Sequence, residues 1–599
     1  MNGVNDFAFK IGTVNGTGSA SANGLLMQAI FRMGIPVSGK NIFPSNIQGL
    51  PTWYEIRVSK DGYMARPSEV DLVVALNPAT YAKDVATVRP GGFLLYDSSW
   101  PLPHELEREG ITILGIPFGR LCVQSFEGDR ERTLLRNIAY TGALAALLNI
   151  DMQVVEKLLE DTYGKKPKLL ASNHKAIRLG YDHAQEHCSC PLPFRLEKMN
   201  ATGDSILIDG NTACALGAVY AGATVGAWYP ITPATSLMEA FKAFCEKYRI
   251  DTTTGERNFA ILQAEDELAA AGIVIGAGWA GARAFTNTSG PGISLMQEFL
   301  GLAYYTDIPA VFFDIQRCGP ATGMPTRTQQ ADLLSLAYAS HGDTRHPILF
   351  PANPGEAFEM AVQAFDLADR LQTPVFVATD LDIGMNDWLV PRLRWDDAYR
   401  PDRGKVLDAA ALEKVKKFSR YLDVDGDGIA ARTLPGVGGK GAYFVRGSGH
   451  DKHAGYTEDS DAYKEVVDRL RQKFAHAATL VPKPAFTLQE GADVGLVTLG
   501  GCDAAVREAA DHLRDQDILV DVMRIRGFPF GEDVRAFLGA YEHVFVIEQN
   551  RDGQLRALLA IELGIPRDDM IAVLDYGGMP LTARVVVEAV STLLAGVPT

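Results

Sequence analysis

Cysteine is scarce in this sequence, and the few cysteines are poorly arranged for binding a metal. The chain has 7 cysteines in 599 residues, with no CxxC motif and no four-cysteine array. Such arrays hold iron–sulfur clusters or zinc, so the cysteines of this chain are predicted to bind neither. Only Cys188 and Cys190, in HCSC (187–190), are close together, and their spacing is too tight for a zinc ribbon. We expect reduced, mostly buried thiols and no metal site in this chain.

Long apolar runs and an excess of basic residues are also absent. No apolar run approaches the roughly 20 residues needed to span a bilayer. The N-terminus, MNGVNDFAFKIG, lacks the basic and apolar regions of a signal peptide, so we expect a cytoplasmic location. The net charge of −16 argues against nucleic acid or an anionic membrane as a partner.

Apolar runs of strand length alternate with helical patterns along most of the chain, which predicts an α/β fold. The hydrophobic fraction of 47% is ample for several large cores. We predict an α/β domain over 1–195, a doubly wound domain with a parallel sheet over 196–400, an irregular connecting segment over 401–485 and a compact α/β domain over 486–599.

The first predicted strand ends in a glycine turn. FAFKIGTVNGTGS (6–18) runs directly into the helical pattern SANGLLMQAIFRMG. This order favours a phosphate-binding site at Gly16 and Gly18, because free N–H groups at the start of a helix attract anions. A plain turn between a strand and a helix explains the pattern equally well.

Four polar blocks follow predicted strands in the middle of the chain. They are YPITPATS (229–236), LQAEDE (262–267), TNTSGPGISLM (286–296) and DIQRCGPATGMPTRTQQ (314–330). Polar groups at the ends of parallel strands are how open α/β sheets build binding sites. Each block alone is typical of an ordinary turn or ion pair, whereas their combination indicates one site.

Together the blocks resemble the α subunit of 2-oxoacid:ferredoxin oxidoreductases, in the form in which a γ domain is fused ahead of α. The resemblance covers essentially the whole chain and is strongest at YPITPATS, at LQAEDE, at TNTSGPGISLM and at DIQRCGPATGMPTRTQQ followed by HGD (341–343). The γ domains of the family look like GxGGxG at the first turn. This chain departs from that pattern, because Thr13 and Asn15 replace two of the glycines.

The resemblance implies a role for each predicted domain. The first domain, 1–195, looks like the γ domain, which helps to hold coenzyme A, and Gly16 and Gly18 would contribute to that contact. The domain over 196–400 is similar to a pyrimidine-type domain that binds thiamine diphosphate. The domain over 486–599 resembles the C-terminal domain of transketolases.

The resemblance also implies catalysis with thiamine diphosphate, which requires a carboxylate beside N1′ of the aminopyrimidine. By motif position this carboxylate is Glu265, in a water-poor pocket at a subunit interface. Thr232 matches the position that hydrogen-bonds the oxoacid, and Arg317 matches the position whose guanidinium faces its carboxylate. Further contacts with thiamine diphosphate are implied for three residues, Tyr229, Pro230 and Gly290.

Half of the expected cofactor site is missing from this sequence. Thiamine enzymes hold the diphosphate through Mg²⁺ with a GDG…NN motif, but the chain has GDG at 426–428 and no NN pair. The resemblance therefore implies a separate β subunit with the Mg²⁺ site and at least one [4Fe-4S] cluster, ferredoxin as electron partner, and an (αβ)2 assembly. DVDGDGIAARTL (423–434) begins like a calcium loop but has Leu434 in place of the bidentate Glu, which favours a turn-rich loop.

The fused γ–α order and the HGD block look most like the 2-oxoglutarate branch of the family. Its reaction gives succinyl-CoA, CO2 and electrons for ferredoxin, or runs in reverse as a carboxylation in the reductive TCA cycle. 2-Oxoglutarate needs a second cation about 5 Å from the first, for its distal carboxylate. The candidates are Arg345, Arg327 and His341.

Other functions stay open at this point. The same reaction on pyruvate or a branched-chain 2-oxoacid would need an apolar or a larger pocket. A thiamine decarboxylase or synthase would need no clusters. A non-catalytic scaffold that binds coenzyme A or a nucleotide is a further alternative, against which the set of Thr232, Glu265 and Arg317 argues.

Overall fold

A computed structural model of the protein describes residues 3–45, 49–188 and 192–596. It confirms the predicted α/β class. Cys190, one of the two closely spaced cysteines, lies outside the described residues. The chain forms two compact units. Unit 1 comprises Met1–Ile208, Asn386–Arg392 and Thr582–Arg584, and unit 2 comprises Asp209–Met385, Leu393–Leu581 and Val585–Thr599. Within the described ranges, no helix has both the length and the apolar character required to cross a bilayer.

The strands of the described residues are, in chain order, β1 (Gly3–Val4), β2 (Asp6–Val14), β3 (Val37–Ile42), β4 (Pro51–Ser59), β5 (Val70–Ala75), β6 (Val88–Asp97), β7 (Thr112–Ile116), β8 (Phe194–Arg195), β9 (Ile206–Ile208), β10 (Val225–Trp228), β11 (Ala260–Gln263), β12 (Ala284–Thr288), β13 (Ala310–Gln316), β14 (Ile348–Leu349), β15 (Pro374–Asp380), β16 (Trp388–Val390), β17 (Ala485–Thr487), β18 (Val494–Leu499), β19 (Val520–Ile525), β20 (Gly527–Phe528), β21 (His543–Glu548) and β22 (Ile571–Leu574).

The α-helices of the described residues are α1 (Ser19–Arg32), α2 (Tyr81–Thr87), α3 (Phe118–Ser125), α4 (Asp129–Leu148), α5 (Met152–Tyr163), α6 (Pro167–His187), α7 (Gly210–Tyr220), α8 (Thr235–Tyr248), α9 (Glu267–Trp279), α10 (Gly290–Leu295), α11 (Gln297–Tyr305), α12 (Leu333–Ala337), α13 (Pro354–Leu371), α14 (Leu381–Met385), α15 (Ala409–Lys414), α16 (Ser460–Ala477), α17 (Asp503–Arg514), α18 (Glu532–Leu538), α19 (Gln554–Leu563) and α20 (Ala583–Leu594).

Unit 1 is built on a six-stranded sheet with the order β3-β4-β2-β5-β6-β7. The strands β2, β5, β6 and β7 run parallel, as their apolar runs predict, whereas β3 and β4 are antiparallel additions that the sequence pattern did not reveal. These two strands bury charged residues. Glu55 in β4 pairs with Lys10 (3.1 Å) and Arg66 (2.7 Å), and the ammonium of Lys40 in β3 lies 3.8 Å from the centre of the Trp388 ring.

Unit 2 contains a seven-stranded sheet with the order β11-β10-β12-β13-β15-β14-β20 and a five-stranded sheet with the order β17-β19-β18-β21-β22. In the first sheet all pairs from β11 to β14 are parallel, and only β20 is antiparallel. The small residues of α7 allow close packing, as predicted. A Cβ atom on Gly217 would lie 2.6 Å from the carbonyl oxygen of Phe358 in α13.

The segment between β16 and β17 is largely irregular, and buried ion pairs attach it to the rest of unit 2. Asp307, three residues before β13, pairs with Arg469 (2.8 Å) and Lys473 of α16. Its backbone carbonyl accepts a hydrogen bond from Arg420 (2.8 Å). Burial alone would raise the pKa of Asp307, but these positive charges outweigh burial and lower the pKa to about 2.

The acidic loop DVDGDG (423–428) surrounds the side chain of a lysine from a preceding segment. The ammonium of Lys405 lies 2.6 Å from an oxygen of Asp425 and 2.8 Å from an oxygen of Asp427, and donates to the carbonyl of Ile429 (2.9 Å). Asp423 accepts hydrogen bonds from backbone N–H groups of the same loop. The segment is therefore a turn closed by an ammonium group, which agrees with the predicted turn-rich loop. The domain limits at 195, 400 and 485 stay a prediction.

Replacing Asp307 with Asn should lower the free energy of unfolding by about 3–5 kcal/mol, because a buried cation cluster would lose its carboxylate. The measurement is chemical denaturation of the purified protein. The matched control is Asp468→Asn on α16, whose pair with Arg471 is exposed and should be worth at most about 1 kcal/mol. Equal losses in the two variants would contradict the structural role of Asp307.

Candidate active site

Two of the polar blocks, YPITPATS and LQAEDE, lie side by side at the carboxyl ends of two neighbouring strands of the seven-stranded sheet. β10 and β11 are parallel, Trp228 lies opposite Gln263, and the N–H of Ala264 donates to the carbonyl of Trp228 (2.8 Å). Neighbouring strands lie about 4.8 Å apart, so chain segments that continue past such a pair stay close. Glu265 is therefore positioned beside the YPITP loop that begins at Tyr229.

The three carboxylates of LQAEDE have different surroundings. Asp266 caps α9, because its side chain accepts a hydrogen bond from the N–H of Ala269 (2.7 Å). Glu267 is buried, and its Cγ would lie 2.9 Å from a Cβ atom on Gly292. Glu265 is exposed and makes no hydrogen bond or ion pair with the residues that the structure describes. The water-poor surroundings expected for Glu265 are thus not supplied by this chain.

The YPITP loop is fixed through its backbone. Asn211 donates to the carbonyl of Pro233 (2.8 Å), and Asn287 donates to the carbonyl of Ala234 (2.6 Å). Tyr229 is partly exposed, and the Thr232 hydroxyl has no hydrogen-bond partner among the described residues. The loop therefore has a fixed position while its Thr232 hydroxyl stays available to a ligand.

Arg317, just after β13, is buried with 8% of its surface exposed. Its Nη1 donates to the carbonyl of Thr232 (2.6 Å), and its Nε has no partner. Burial lowers the pKa of the guanidinium, and the charges of Asp332 and Glu267 act in the opposite direction. Among the described residues no carboxylate forms an ion pair with it. A buried cation without a counter-ion is costly, so this arrangement suits an anionic ligand.

A cavity of about 1010 Å³ lies beside Arg317 and Gly290, whereas its lining does not include Tyr229, Pro230, Thr232 or Glu265. Gly290, Arg317, Asp332, Arg551 and Tyr576 are among its lining residues. The volume is at the upper end of the range for small-molecule sites, about 300–1,000 Å³. Arg551 was not among the candidates from sequence, because nothing in EQNRD separates it from an ordinary surface arginine. It forms an exposed ion pair with Asp552 (2.7 Å).

Sequence analysis also missed a pair of carboxyl groups beside the cavity. Asp314 in β13 is fully buried, and neither of its carboxyl oxygens has a hydrogen-bond partner among the described residues. Burial and the neighbouring carboxylate raise the pKa of Asp314 well above its ordinary value, and burial raises the pKa of Asp332 to about 6. A Cβ atom on Gly290 would lie 2.6 Å from an oxygen of Asp332, which accounts for a glycine there. The signal available in the sequence was an Asp inside an otherwise apolar strand.

Of the predicted contacts for a distal carboxylate, Arg327 is the one that the structure keeps near this edge. Its carbonyl accepts a hydrogen bond from the N–H of Cys318 (3.0 Å), so the 318–330 loop folds back on itself directly after Arg317. Burial lowers the pKa of the Arg327 guanidinium. His341 is exposed and lies 3.4 Å from the Ser340 hydroxyl. Neither Arg327 nor His341 is among the residues that line the cavity.

Arg345 must be corrected as a substrate contact. It precedes β14, and β14, β15 and β13 are parallel, whereas Arg317 follows β13. Arg345 therefore lies at the amino ends of these strands and Arg317 at their carboxyl ends, about 20 Å apart for a seven-residue strand. Arg345 lies 3.4 Å from Glu562 and over the ring of Phe474 (5.8 Å). A distal carboxylate bound beside Arg317 cannot reach it.

The glycine turn of unit 1 has the predicted local geometry. Gly16 and Gly18 have φ values of 83° and 84°, which favour glycine, and α1 begins directly afterwards without a side-chain cap. The carbonyl of Thr17 is taken by Asn137 (2.6 Å). The N–H groups that begin α1 fit an anion, and contact with coenzyme A stays a prediction.

Two family models match the chain. One, described as "Pyruvate flavodoxin/ferredoxin oxidoreductase, thiamine diP-bdg", covers residues 216–392, and the other, "Pyruvate ferredoxin/flavodoxin oxidoreductase", covers residues 8–183. The first match contains Thr232, Glu265 and Arg317. The fold and this match define the class, an oxidoreductase subunit with a thiamine diphosphate-binding domain.

Known proteins narrow the class. The chain is 31% identical to the α subunit of 2-oxoacid:ferredoxin oxidoreductase 2 of Aeropyrum pernix, over 98% of both chains. It is 28% identical to 2-oxoglutarate oxidoreductase subunit KorA of Mycobacterium tuberculosis, over 84% of this chain and 78% of that one. The 2-oxoglutarate:ferredoxin oxidoreductase of Magnetococcus marinus, solved with 2-oxoglutarate, coenzyme A and succinyl-CoA bound, is 28% identical with a TM-score of 0.88, over 98% and 99% of the chains. The chain belongs to the 2-oxoacid:ferredoxin oxidoreductase α-subunit family.

The raised pKa of Asp332 predicts a pH-dependent difference between the wild type and Asp332→Asn. A carboxyl group whose pKa rises to about 6 on folding stabilises the fold fully below its unfolded pKa of about 4 and loses that contribution as the pH rises through 6. Denaturation at pH 4 to 7 should therefore show the variant gaining stability relative to wild type across this window. A constant difference between Asp332→Asn and the wild type across this window would contradict the titration.

Proposed function

We propose that the chain is the α subunit of a 2-oxoglutarate:ferredoxin oxidoreductase. With a β subunit it would convert 2-oxoglutarate and coenzyme A to succinyl-CoA and CO2 and pass two electrons to ferredoxin, or run in reverse. The name of the Mycobacterium relative and the ligands of the Magnetococcus structure support the choice of substrate. Pyruvate and branched-chain 2-oxoacids are the competing substrates.

The observation that carries the proposal is the unpaired guanidinium of Arg317 beside the cavity. A 2-oxoacid presents a carboxylate next to a keto group. Arg317 offers donors to that carboxylate in a planar fork, and the Thr232 hydroxyl, on the loop that Arg317 holds, can donate to the same head group. The position of this guanidinium at a cavity favours an anion-binding role over that of a scaffold subunit without chemistry.

The described residues fit one half of a thiamine diphosphate site. Glu265 is the carboxylate that this edge leaves without an internal partner, and the carboxylate oxygen can share a proton with N1′ of the aminopyrimidine. Tyr229, Pro230 and Gly290 would border the cofactor. When bound, thiamine diphosphate supplies the carbanion chemistry that releases CO2 from a 2-oxoacid. Glu265 would hold the proton that this chemistry needs, and Arg317 would orient the carboxylate that leaves.

The partner completes the other half in our proposal. A β subunit would bring Mg²⁺ for the diphosphate and at least one [4Fe-4S] cluster, would cover Glu265 and would form an (αβ)2 assembly. The exposure of Glu265 supports this, because proton sharing with a cofactor is strongest away from water. In unit 1 the turn at Gly16 and Gly18 would contact a phosphate of coenzyme A.

For the distal carboxylate we propose Arg327, from the loop that returns beside Arg317. Nη1 of Arg327 already donates to the carbonyl (2.7 Å) and hydroxyl (3.2 Å) oxygens of Thr326. Arg551, which lines the cavity, pairs with Asp552 and is the alternative contact. A cation is needed because burying the second carboxylate of 2-oxoglutarate without one is costly.

Glu265→Gln should reduce CoA-dependent reduction of ferredoxin by 2-oxoglutarate about 10²–10⁴-fold, the usual contribution of a general acid or base. The assay uses the complex with its β subunit, and circular dichroism checks that the fold is intact. The control is Glu359→Gln, an exposed residue of α13, which should retain activity. A near-wild-type rate for Glu265→Gln would refute its role, and full turnover by the purified chain alone would refute the two-subunit proposal.

Arg327→Met should raise the KM for 2-oxoglutarate about tenfold or more while the KM for pyruvate changes little, because only the larger substrate has a distal carboxylate. Arg345→Met is the matched control and should leave both values unchanged, since Arg345 lies at the opposite edge of the sheet. A selective loss in Arg551→Met with none in Arg327→Met would transfer the role to Arg551.

A further inference from the structure

The loop of residues 229–234, between β10 and α8, contains two prolines that limit its backbone hydrogen bonding. Pro230 and Pro233 have no N–H to donate. Ile231 is held by Thr235, whose hydroxyl accepts a hydrogen bond from the N–H of Ile231 (3.1 Å) and whose N–H donates to its carbonyl (3.1 Å). Side chains from other elements make the contacts to the residues that follow Ile231.

Three consecutive carbonyl groups of this loop each accept a hydrogen bond from a side chain of another element. The pairs are Nη1 of Arg317 with the carbonyl of Thr232 (2.6 Å), Nδ2 of Asn211 with that of Pro233 (2.8 Å) and Nδ2 of Asn287 with that of Ala234 (2.6 Å). The donors belong to α7, to β12 and to the residue directly after β13. Three separate elements of unit 2 therefore hold one short stretch of chain in place.

The two asparagines act as hydrogen-bond donors from buried positions. Asn211 and Asn287 each have 1% of their surface exposed, and within the described residues neither amide oxygen has a hydrogen-bond partner. Turning either amide over would place its oxygen against a carbonyl oxygen, so the donor orientation is fixed. The carbonyl of Ala234 also accepts the N–H of Leu237 (3.1 Å). The contact from Asn287 is therefore additional to the backbone hydrogen bond, and its effect is to fix where this carbonyl lies.

These contacts keep the Thr232 hydroxyl close to the guanidinium of Arg317. Within one threonine, covalent geometry keeps the hydroxyl oxygen within about 4.5 Å of the carbonyl oxygen. Because that carbonyl accepts the hydrogen bond from Arg317, the hydroxyl lies within about 7 Å of Nη1. A 2-oxoacid carries its carboxylate and its keto group on adjacent carbons. Thr232 and Arg317 can bind one such head group together only while the loop keeps this spacing.

We propose that Asn211 and Asn287 are positioning residues for the oxoacid. They hold the two carbonyl groups that follow Thr232, and in this way they keep the Thr232 hydroxyl where the substrate meets it. Their effect on substrate binding passes through Thr232. Asn211 also donates to the Ser236 hydroxyl of α8 (2.8 Å), so support of that helix alone is the alternative role. The inference rests on the proposed function, because the ligand of Thr232 is taken to be a 2-oxoacid.

Three single variants are measured in the complex with the β subunit. Thr232→Val should raise the KM for 2-oxoglutarate about tenfold or more, because a hydrogen bond to a charged group is lost. Asn287→Ala and Asn211→Ala should each raise it about three- to tenfold, because the loop then occupies the binding position for a smaller fraction of the time. Support of the fold alone would lower the amount of active complex, and with it the apparent kcat, and would leave the KM unchanged.

Double variants show whether the asparagines act through Thr232. When Thr232→Val is already present, adding Asn287→Ala or Asn211→Ala should change the KM less than twofold, because no hydroxyl is left to position. The free energy of unfolding, measured by chemical denaturation, should fall by the same amount whether or not Thr232 has been replaced.

The matched control is Gln372→Ala, which removes a similar amide from another part of unit 2. Gln372 is buried with 1% of its surface exposed, donates to the carbonyl of Ala430 (2.7 Å), and its amide oxygen has no hydrogen-bond partner among the described residues. It precedes β15 and so lies at the amino ends of the parallel strands, whereas Thr232 follows β10 at their carboxyl ends. The variant should lose stability and keep the wild-type KM.

Equal rises in KM with and without the Thr232 hydroxyl would overturn the inference, because the asparagines would then act on something other than Thr232. A wild-type KM for both asparagine variants in a folded complex would overturn it as well, and so would a wild-type KM for Thr232→Val. If Asn287→Ala does not fold, the comparison with Asn211→Ala decides by the same outcomes. An inactive wild-type complex would instead refute the proposed function itself, so the two failures are distinguishable.

Discussion

The site depends on the parallel register of β10, β11, β12 and β13. Because the strands run in one direction, their carboxyl ends meet at one edge, and the residues that follow them come together from distant parts of the chain. Thr232, Glu265, Gly290 and Arg317 each follow a different one of these strands. An antiparallel strand among them would have sent one of the four groups to the opposite edge. The order and direction of the strands therefore determine which residues meet at the site.

The buried arginines of unit 2 include some with carboxylate partners and at least one without. Arg283 is as buried as a core residue, and its donors are satisfied by Asp366 (2.7 Å), Asp369 (2.8 Å) and the carbonyl of Ala221 (2.8 Å). Such networks are stable because every buried group has a partner. Arg317 is the contrast, because it makes one hydrogen bond within the described part of the chain, has no carboxylate partner there and lies beside a cavity. Burying a guanidinium without a counter-ion lowers the stability of the fold, and other parts of the structure compensate for this loss, as is common at ligand-binding sites.

The sequence predicted most of the parallel strands and the four blocks of the site, because buried parallel strands are apolar runs and their ends are marked by turn residues. It did not reveal β3 and β4, since Lys40 and Glu55 are buried through contacts with residues remote in sequence. It placed Arg345 near the substrate because HGD and the TRTQQ block are close in sequence. The helix α12 and the loop after it carry the chain across the sheet, which no local pattern records. Asp314 and Asp332 were missed for the same reason, because the mutual influence of two carboxyl groups on their pKa values depends on folding, which no local pattern records.

The strand β11 is the outermost strand of its sheet, and its residues are mostly exposed, with Leu262 at 43%. Its outer row of backbone groups is a template on which another strand can add. The exposure of β11, which leads directly to Glu265, therefore also favours association between separate copies of the chain. An exposed outermost strand of this kind is a place where association of separate chains is expected to begin.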